Sequence, residues 1–387
     1  MKIVFHLLKW VNNTPARFDP LYNTRFFEDA MILKGKSILI ISPESWTHLF
    51  VSKHHYAVHL AQRGNQVFFL NPPSNESSNI ESDFHNLHTL NYTGFPVGMR
   101  LAPKFIRKTI QRKIFHRLEK LANTSFDIIW SFDNSVFYDF DALPSRVLKI
   151  SHIVDLNMDF QSVLAANTSD VCFCTTQFIK HRLEQYAPGK VFWINHGVRV
   201  SKDDLPFTLN SSFPVNAGYY GNLDIKYLDW TMLIQEIDDN PEIGFHFAGK
   251  LTSHIVKDYF NNRSNMIWHG IIPSPQLPSF NAQMDVLFIA YKADEFKEQL
   301  ANPHKILEYL ISGKPVVATY TAQYASLDFI YMSHTNDDWP KLFNQVVSNL
   351  SEYTTSELIK KRQAFALDNT YDRQLDRIEE ILSKLKK

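Results

Sequence analysis

The chain has 387 residues, 44% hydrophobic and 14% aromatic, with 40 Lys plus Arg against 40 Asp plus Glu. That length exceeds what one hydrophobic core usually organises, so two domains are expected. A formal net charge of zero argues against a general nucleic-acid binder. Two cysteines, Cys172 and Cys174, cannot form a disulfide framework, which suits a reducing compartment.

Residues 1–11 hold a short apolar run broken by His6 and Lys9, with no small-residue cleavage site behind it, so a signal peptide is not expected. No apolar stretch approaches the roughly 20 residues that a bilayer span needs. The expectation is a cytoplasmic protein, not integral to a membrane. Residues 1–36 show no clear periodicity and are read as an extension packed on the first domain. The run 37–42 (SILIIS) is continuously apolar, the mark of a strand buried on both faces. A helical segment through Ala61, closed by Arg63-Gly64, and a second strand at 66–70 (QVFFL) follow. Strand, helix and strand at this spacing specify a parallel βαβ unit.

Further buried strands fall at 127–131, 147–150, 171–175 and 191–194, with helices at 101–121, 159–167 and 176–186. Together they make a doubly wound domain over 37–200. The polar, Pro-bounded stretch 201–214 reads as a linker. The alternation then restarts, with strands at 217–220, 243–248, 266–269, 286–289 and 316–318 and helices at 226–238 and 303–312. This is a second domain over 201–365, and the helical segment 366–387 is expected to cross back to the first. The fold class is α/β, with two Rossmann-like doubly wound domains. Ligands of such sheets sit outside the carboxyl ends of the strands, so the two domains are expected to face a common cleft.

The densest chemical signal is 302–319, NPHKILEYLISGKPVVAT. Pro303 lies near the first turn of the expected helix, where a missing N–H costs nothing. Gly313 ends the helix and Pro315 prevents its continuation. A helix N-terminus facing the cleft offers free N–H groups to a phosphate. Glu308, one and a half turns in, can accept hydrogen bonds from two ribose hydroxyls. Helices that stop at Gly-Lys-Pro before a strand also occur in α/β proteins with no such site.

This segment resembles the donor-site signature of GT-B glycosyltransferases, the bacterial "glycosyl transferases group 1" superfamily. Other stations of that family follow in order from Ser37 onward: Ser42-Pro43-Glu44-Ser45-Trp46, Asp170-Val171, Ile194-Asn195-His196-Gly197-Val198, the run 217–229 (AGYYGNLDIKYLD) and the run 265–270 (NMIWHG). The resemblance implies that Glu308 binds the donor ribose and that Asn302, Pro303, His304 and Lys305 meet the diphosphate or the sugar. It places Gly221 and Asn222 against the diphosphate through their backbone, and Gly270 and Ile271 beside the nucleobase. The chain departs from the family pattern at two places. Leu300 stands where many retaining members carry a second glutamate, with Glu295 and Glu298 nearby. Asn222 and Lys226 stand where many carry an Arg and a Lys.

On the acceptor side the candidates are Ser45, Trp46, His48, Lys53, His54, His152, Asp155 and His196. A general base must reach the acceptor hydroxyl, and Asp155 or His152, at a strand's carboxyl end, could do so. Taken singly, each of the 16 histidines is more often structural or solvent-exposed than catalytic. The helix at 101–121 sets Phe105, Ile106, Ile110, Ile114, Leu118 and Leu121 on one stripe, surrounded by Lys104, Arg107, Lys108, Arg112, Lys113 and Arg117. Such a helix can lie on an anionic membrane surface, such as the inner face of the plasma membrane, or pack on a core with a solvated basic face.

The resemblance implies a hexosyltransferase of polysaccharide biosynthesis that uses a nucleotide diphosphate sugar as donor and a glycan or lipid-linked acceptor. Retention of configuration and independence of metal ions and cofactors come with it. A nucleotide-sugar epimerase and a catalytically silent sugar-binding protein share the architecture.

Overall fold

The computed structural model describes residues 32–133, 139–155, 160–200 and 203–385. The expected extension therefore falls largely outside the described residues. Of its described residues, Ile32 and Leu33 are buried in the core of the first domain.

The first domain is built from β1 (Ser37–Ile41), α1 (Ser52–Gln62), β2 (Gln66–Leu70), β3 (Ser78–Glu81), β4 (Leu87–Asn91), α2 (Lys104–Ala122), β5 (Ile128–Ser131), β6 (Leu148–Ile153), α3 (Phe160–Thr168), β7 (Val171–Cys174), α4 (Gln177–Glu184) and β8 (Val191–Trp193). Its sheet runs β3-β4-β2-β1-β5-β6-β7-β8, parallel throughout except for the edge pair β3 and β4. Every residue of β1 is buried, as a strand covered on both faces requires.

The second domain follows with β9 (Val215–Tyr220), α5 (Trp230–Asp239), β10 (Ile243–Ala248), α6 (His254–Asn261), β11 (Met266–Trp268), α7 (Leu277–Gln283), β12 (Val286–Ile289), α8 (Lys305–Leu310), β13 (Val316–Ala318), β14 (Tyr331–Met332), α9 (Trp339–Ser348), α10 (Leu350–Tyr353) and α11 (Ser356–Asp368). The order β11-β10-β9-β12-β13-β14 is wholly parallel. Reversal at β9 and β12 leaves a switch point where their carboxyl ends diverge, the usual place for a ligand.

The final helix, α12 (Tyr371–Leu385), packs on the first domain. Tyr371, Leu375, Ile378 and Leu382 form one stripe and join the cluster of Ile38, Ile40, Tyr56 and Leu60. The Glu379 carboxylate accepts the backbone N–H groups of Ile32 and Leu33. Fully buried Arg362, on α11, donates to the carbonyls of Phe329, Gly313 and Tyr353 and to the Tyr331 hydroxyl. That fork fixes the turn at Gly313, which ends the segment carrying α8.

Three expectations change. The helix placed at 226–238 starts only at Trp230, because the Asp229 side chain caps it by accepting the Met232 N–H. The helix placed at 303–312 is α8 alone, with turns on either side. In α2 the core-facing residues are Gln111, Ile114, Phe115, Leu118 and Ala122, whereas Phe105 and Ile106 at the start of the expected stripe stand exposed. None of the described helices is long and apolar enough to cross a membrane.

Candidate active site

Around the carboxyl ends of β9, β10 and β11 three glycines close up on one another. Gly221 has φ 151°, Gly249 φ 135° and Gly270 φ 69°, values that favour glycine. The Gly221 N–H donates to the Ala248 carbonyl at 2.8 Å and the Gly249 N–H to the Gly270 carbonyl at 2.6 Å. Gly221 is thus committed to its neighbour through its amide. A Cβ there would meet Lys305 Cε at 2.7 Å and Nζ at 3.1 Å, so the bare Cα is what admits the lysine.

Lys305 opens α8, and its ammonium lies 3.4 Å from the Tyr291 hydroxyl, which is 3.3 Å from that of Tyr219. One turn on, Glu308 accepts a hydrogen bond from the Tyr220 hydroxyl. Burial raises the Glu308 pKa, while the Tyr220 bond and the positive charges of Lys305 and Arg199 oppose the rise. Burial likewise pushes the Tyr220 phenol well above its ordinary value, helped by the Glu308 charge. The carboxyl group, the lysine and the glycine loop share one wall of the cleft.

The opposite wall comes from the first domain. His196 lies 6.1 Å from His304 between ring centroids, and its Nδ1 is 3.4 Å from Ser52 Oγ. His55 stacks on Tyr371 at 4.7 Å. Burial brings the His55 pKa down to about 3 and that of His196 to about 4. It also lowers His304 well below its ordinary value, with the Lys305 and His196 charges adding to the effect. Yet His304 keeps much of its surface open to solvent. With their pKa values lowered, these imidazoles stay neutral and can both donate and accept.

Asp155 lies beyond the end of β6. It is exposed, yet the protein around it raises its pKa by desolvation, with attraction to Lys53 and repulsion from Glu44 acting in opposite senses. Lys53 and Glu44 form an ion pair beside it.

Several residues lie elsewhere than the sequence placed them. His152 is 2% exposed and enclosed by the rings of Tyr56, Trp130, Phe132 and Phe173, and burial takes its pKa down to about 3. It belongs to the aromatic core behind the cleft, since its strand turns that face inward. Asn302 faces the other domain, and its amide donates to the Thr175 carbonyl at 2.8 Å and to Asn195 Oδ1 at 2.9 Å. Pro303 follows as a half-buried turn residue, so His304 rather than Asn302 precedes α8. Lys226 is exposed and lies over the Tyr227 and Phe296 rings, 5.0 and 5.2 Å from their centroids.

Asn222 caps its own turn, its side chain accepting the Asp224 N–H. Exposed Ile271 follows Gly270, and near them Trp268 donates to the Gly249 carbonyl at 3.0 Å. Leu300, at the position of the missing glutamate, is a buried core residue.

His55, Tyr220, Tyr291, Arg199 and Gly249 are site residues that sequence reasoning passes over. Gly249 alone carried a usable signal, a glycine directly after the buried run 243–248. The others come from segments that only the sheet order brings together.

No family model matches the chain, and no curated protein matches it. Among solved structures, it is similar to sucrose-phosphate synthase from Thermosynechococcus elongatus, with TM-score 0.70 and 13% identity over 90% of this chain and 99% of that one. HepE of Anabaena, solved in complex with UDP and glucose, gives TM-score 0.63 and 13% identity over 90% and 100%. The lipopolysaccharide outer core galactosyltransferase WaaB gives TM-score 0.62 and 14% identity over 90% and 99%. The two parallel-dominated sheets and this likeness over nine-tenths of the chain show that the chain has the GT-B fold.

Proposed function

We propose that this chain is a glycosyltransferase that moves a hexose from a nucleotide diphosphate sugar to a hydroxyl of a glycan or glycolipid, retaining configuration and using no metal ion. One observation carries the reading: the Glu308 carboxyl group is held by Tyr220 in the cleft, one turn from Lys305, whose side chain lies against Gly221. A carboxylate so placed takes two ribose hydroxyls, and an ammonium group beside a bare glycine takes the diphosphate. HepE, of similar fold, was solved with UDP and glucose.

In this reading Lys305 stabilises the charge that develops on the leaving diphosphate. The neutral imidazoles of His55, His196 and His304 orient hydroxyls across the cleft. Asp155, with its raised pKa, accepts the proton of the acceptor hydroxyl, which attacks the sugar on the face from which the diphosphate departs, as retention requires. Gly270 and Ile271 border the base.

A thermal-shift screen of UDP-, GDP-, ADP- and TDP-sugars tests the reading. One of them at 100 times its dissociation constant adds about 2.7 kcal/mol of stability. Lys305→Met lowers that sugar's affinity by about 10–100-fold, the worth of a charge-assisted hydrogen bond. A protein that no nucleotide sugar stabilises would refute the proposal. Conversion of the donor sugar without any acceptor would identify an epimerase instead.

We further propose that the protein docks on an anionic membrane surface through the start of α2. Val97, Leu101 and Phe105 are strongly exposed there, beside Lys104, Arg107 and Lys108. Each basic residue near such a surface contributes about 1 kcal/mol. The wild type co-sediments with vesicles containing phosphatidylserine. The Leu101→Ser, Phe105→Ser double variant loses most of that binding and keeps its donor thermal shift. Equal co-sedimentation with neutral vesicles would count against the docking surface.

A further inference from the structure

We infer that a cavity at the edge of the first sheet is an acceptor subsite for an uncharged sugar chain, one bearing hydroxyl and amide groups but no phosphate or carboxylate. The inference rests on the transfer reading above and adds the chemical class of the acceptor. The cavity, about 540 Å³, lies beyond the carboxyl ends of β1, β2 and β4 and is walled by the antiparallel hairpin of β3 and β4. That volume is in the range of small-molecule sites, roughly 300–1,000 Å³.

Its floor is a row of amides fixed by one another. The Trp46 N–H donates to Asn71 Oδ1 at 2.8 Å, Asn71 Nδ2 to Asn91 Oδ1 at 2.8 Å, and Asn91 Nδ2 to Ser78 Oγ at 2.9 Å. Each amide keeps hydrogen-bonding capacity after these bonds. Their orientations are set in advance, so little ordering is needed when a ligand arrives.

Trp46 supplies an aromatic side to the cavity. It is half-buried and held by Phe50, Phe69 and Phe84, with ring centroids 4.9, 5.0 and 6.0 Å away. A pyranose ring has an apolar face of C–H groups and an equator of hydroxyls. An indole beside a row of amides matches both.

Charge narrows the class. The lining includes the exposed carboxylates of Glu81 and Asp83 and no Lys, Arg or His. Carboxylates accept neighbouring hydroxyls in pairs. An anionic group brought within 4 Å of either loses about fivefold in affinity, even in water-like surroundings. The loop that carries Trp46 also carries Glu44 to Lys53 beside Asp155, and the Ser45 carbonyl holds His54 at 3.0 Å. The loop bearing Trp46 therefore links the cavity to the surroundings of Asp155.

The full-length protein, screened on an array of neutral, N-acetylated, phosphorylated and uronate-containing oligosaccharides, tests the inference. Donor thermal shift is measured on the same preparations. The expected result is binding of neutral or N-acetylated chains only. Trp46→Ala weakens it at least tenfold with the donor shift intact, and the exposed-site pair Glu81→Gln, Asp83→Asn narrows the discrimination against acidic chains at least fivefold. A donor-competent protein that binds acidic chains equally well, or no chain, overturns the inference. So does discrimination that survives the double substitution, a variant that does not disturb the Trp46 packing. Absence of any donor shift in the wild type overturns the transfer reading instead.

Discussion

Glu308→Gln lowers donor affinity by about 10–100-fold, roughly 1.5–3 kcal/mol, and leaves the protein at least as stable as before. The loss follows from exchanging a charged acceptor of two hydroxyls for an amide that accepts one well. The gain follows from linkage. The fold raises the Glu308 pKa, chiefly by burial, so the native state binds this proton more tightly than the unfolded chain does. For a carboxyl group raised in this way, the stabilising contribution is complete below its unfolded value and is lost as pH rises through its folded value. Wild type therefore falls behind Glu308→Gln as the solution becomes more alkaline across that interval, and the two converge in acid. Titration calorimetry with the donor found in the screen, and urea unfolding at several pH values, read both effects. Unchanged donor affinity in the variant would remove Glu308 from the site.

Gly249→Ala is expected to cost about 3–5 kcal/mol, among the largest effects of a single methyl group. At φ 135° an L-residue is strained by about 1–3 kcal/mol. The added Cβ also lands on the Gly221 carbonyl oxygen, which is backbone and cannot swing away. Relief requires parting the loops after β9 and β10, with loss of the bond from Gly221 N–H to the Ala248 carbonyl. Gly64→Ala is the matched control, because φ there is 85° but the space around a Cβ is empty. If urea unfolding gave the two variants the same stability, the close approach at Gly249 would be unimportant.

The fold was legible wherever burial on both faces of a sheet is recorded as an unbroken apolar run. The expected strands at 66–70, 243–248, 286–289 and 316–318 coincide with β2, β10, β12 and β13. β3 (SNIE) escaped because an edge strand with three of its four residues exposed has no apolar pattern to show. β4 (LHTLN) escaped for the related reason that it mixes polar and apolar residues on both faces.

The candidate site divides in the same way. Lys305 and Glu308 sit one turn apart on one helix, a local relation that spacing reveals. Tyr220, Tyr291 and Gly249 stand near them only because β9 lies between β10 and β12. His152 looked available because a strand end is where ligands gather. Only the rings of Tyr56, Trp130, Phe132 and Phe173, from three other strands or loops and one helix, close it off.

The return of α12 to the first domain bears on how the protein acquires its shape during synthesis. Domains generally fold in the order in which they leave the ribosome. Here the stripe of Tyr371, Leu375, Ile378 and Leu382 completes a core begun at Ile32, and Glu379 anchors backbone 347 positions earlier. Until residues 371–382 emerge, Ile38, Tyr56 and Leu60 lack part of their cover. The domain translated first is therefore finished last, and the nascent chain presents an unsealed apolar surface for as long as the second domain is being made.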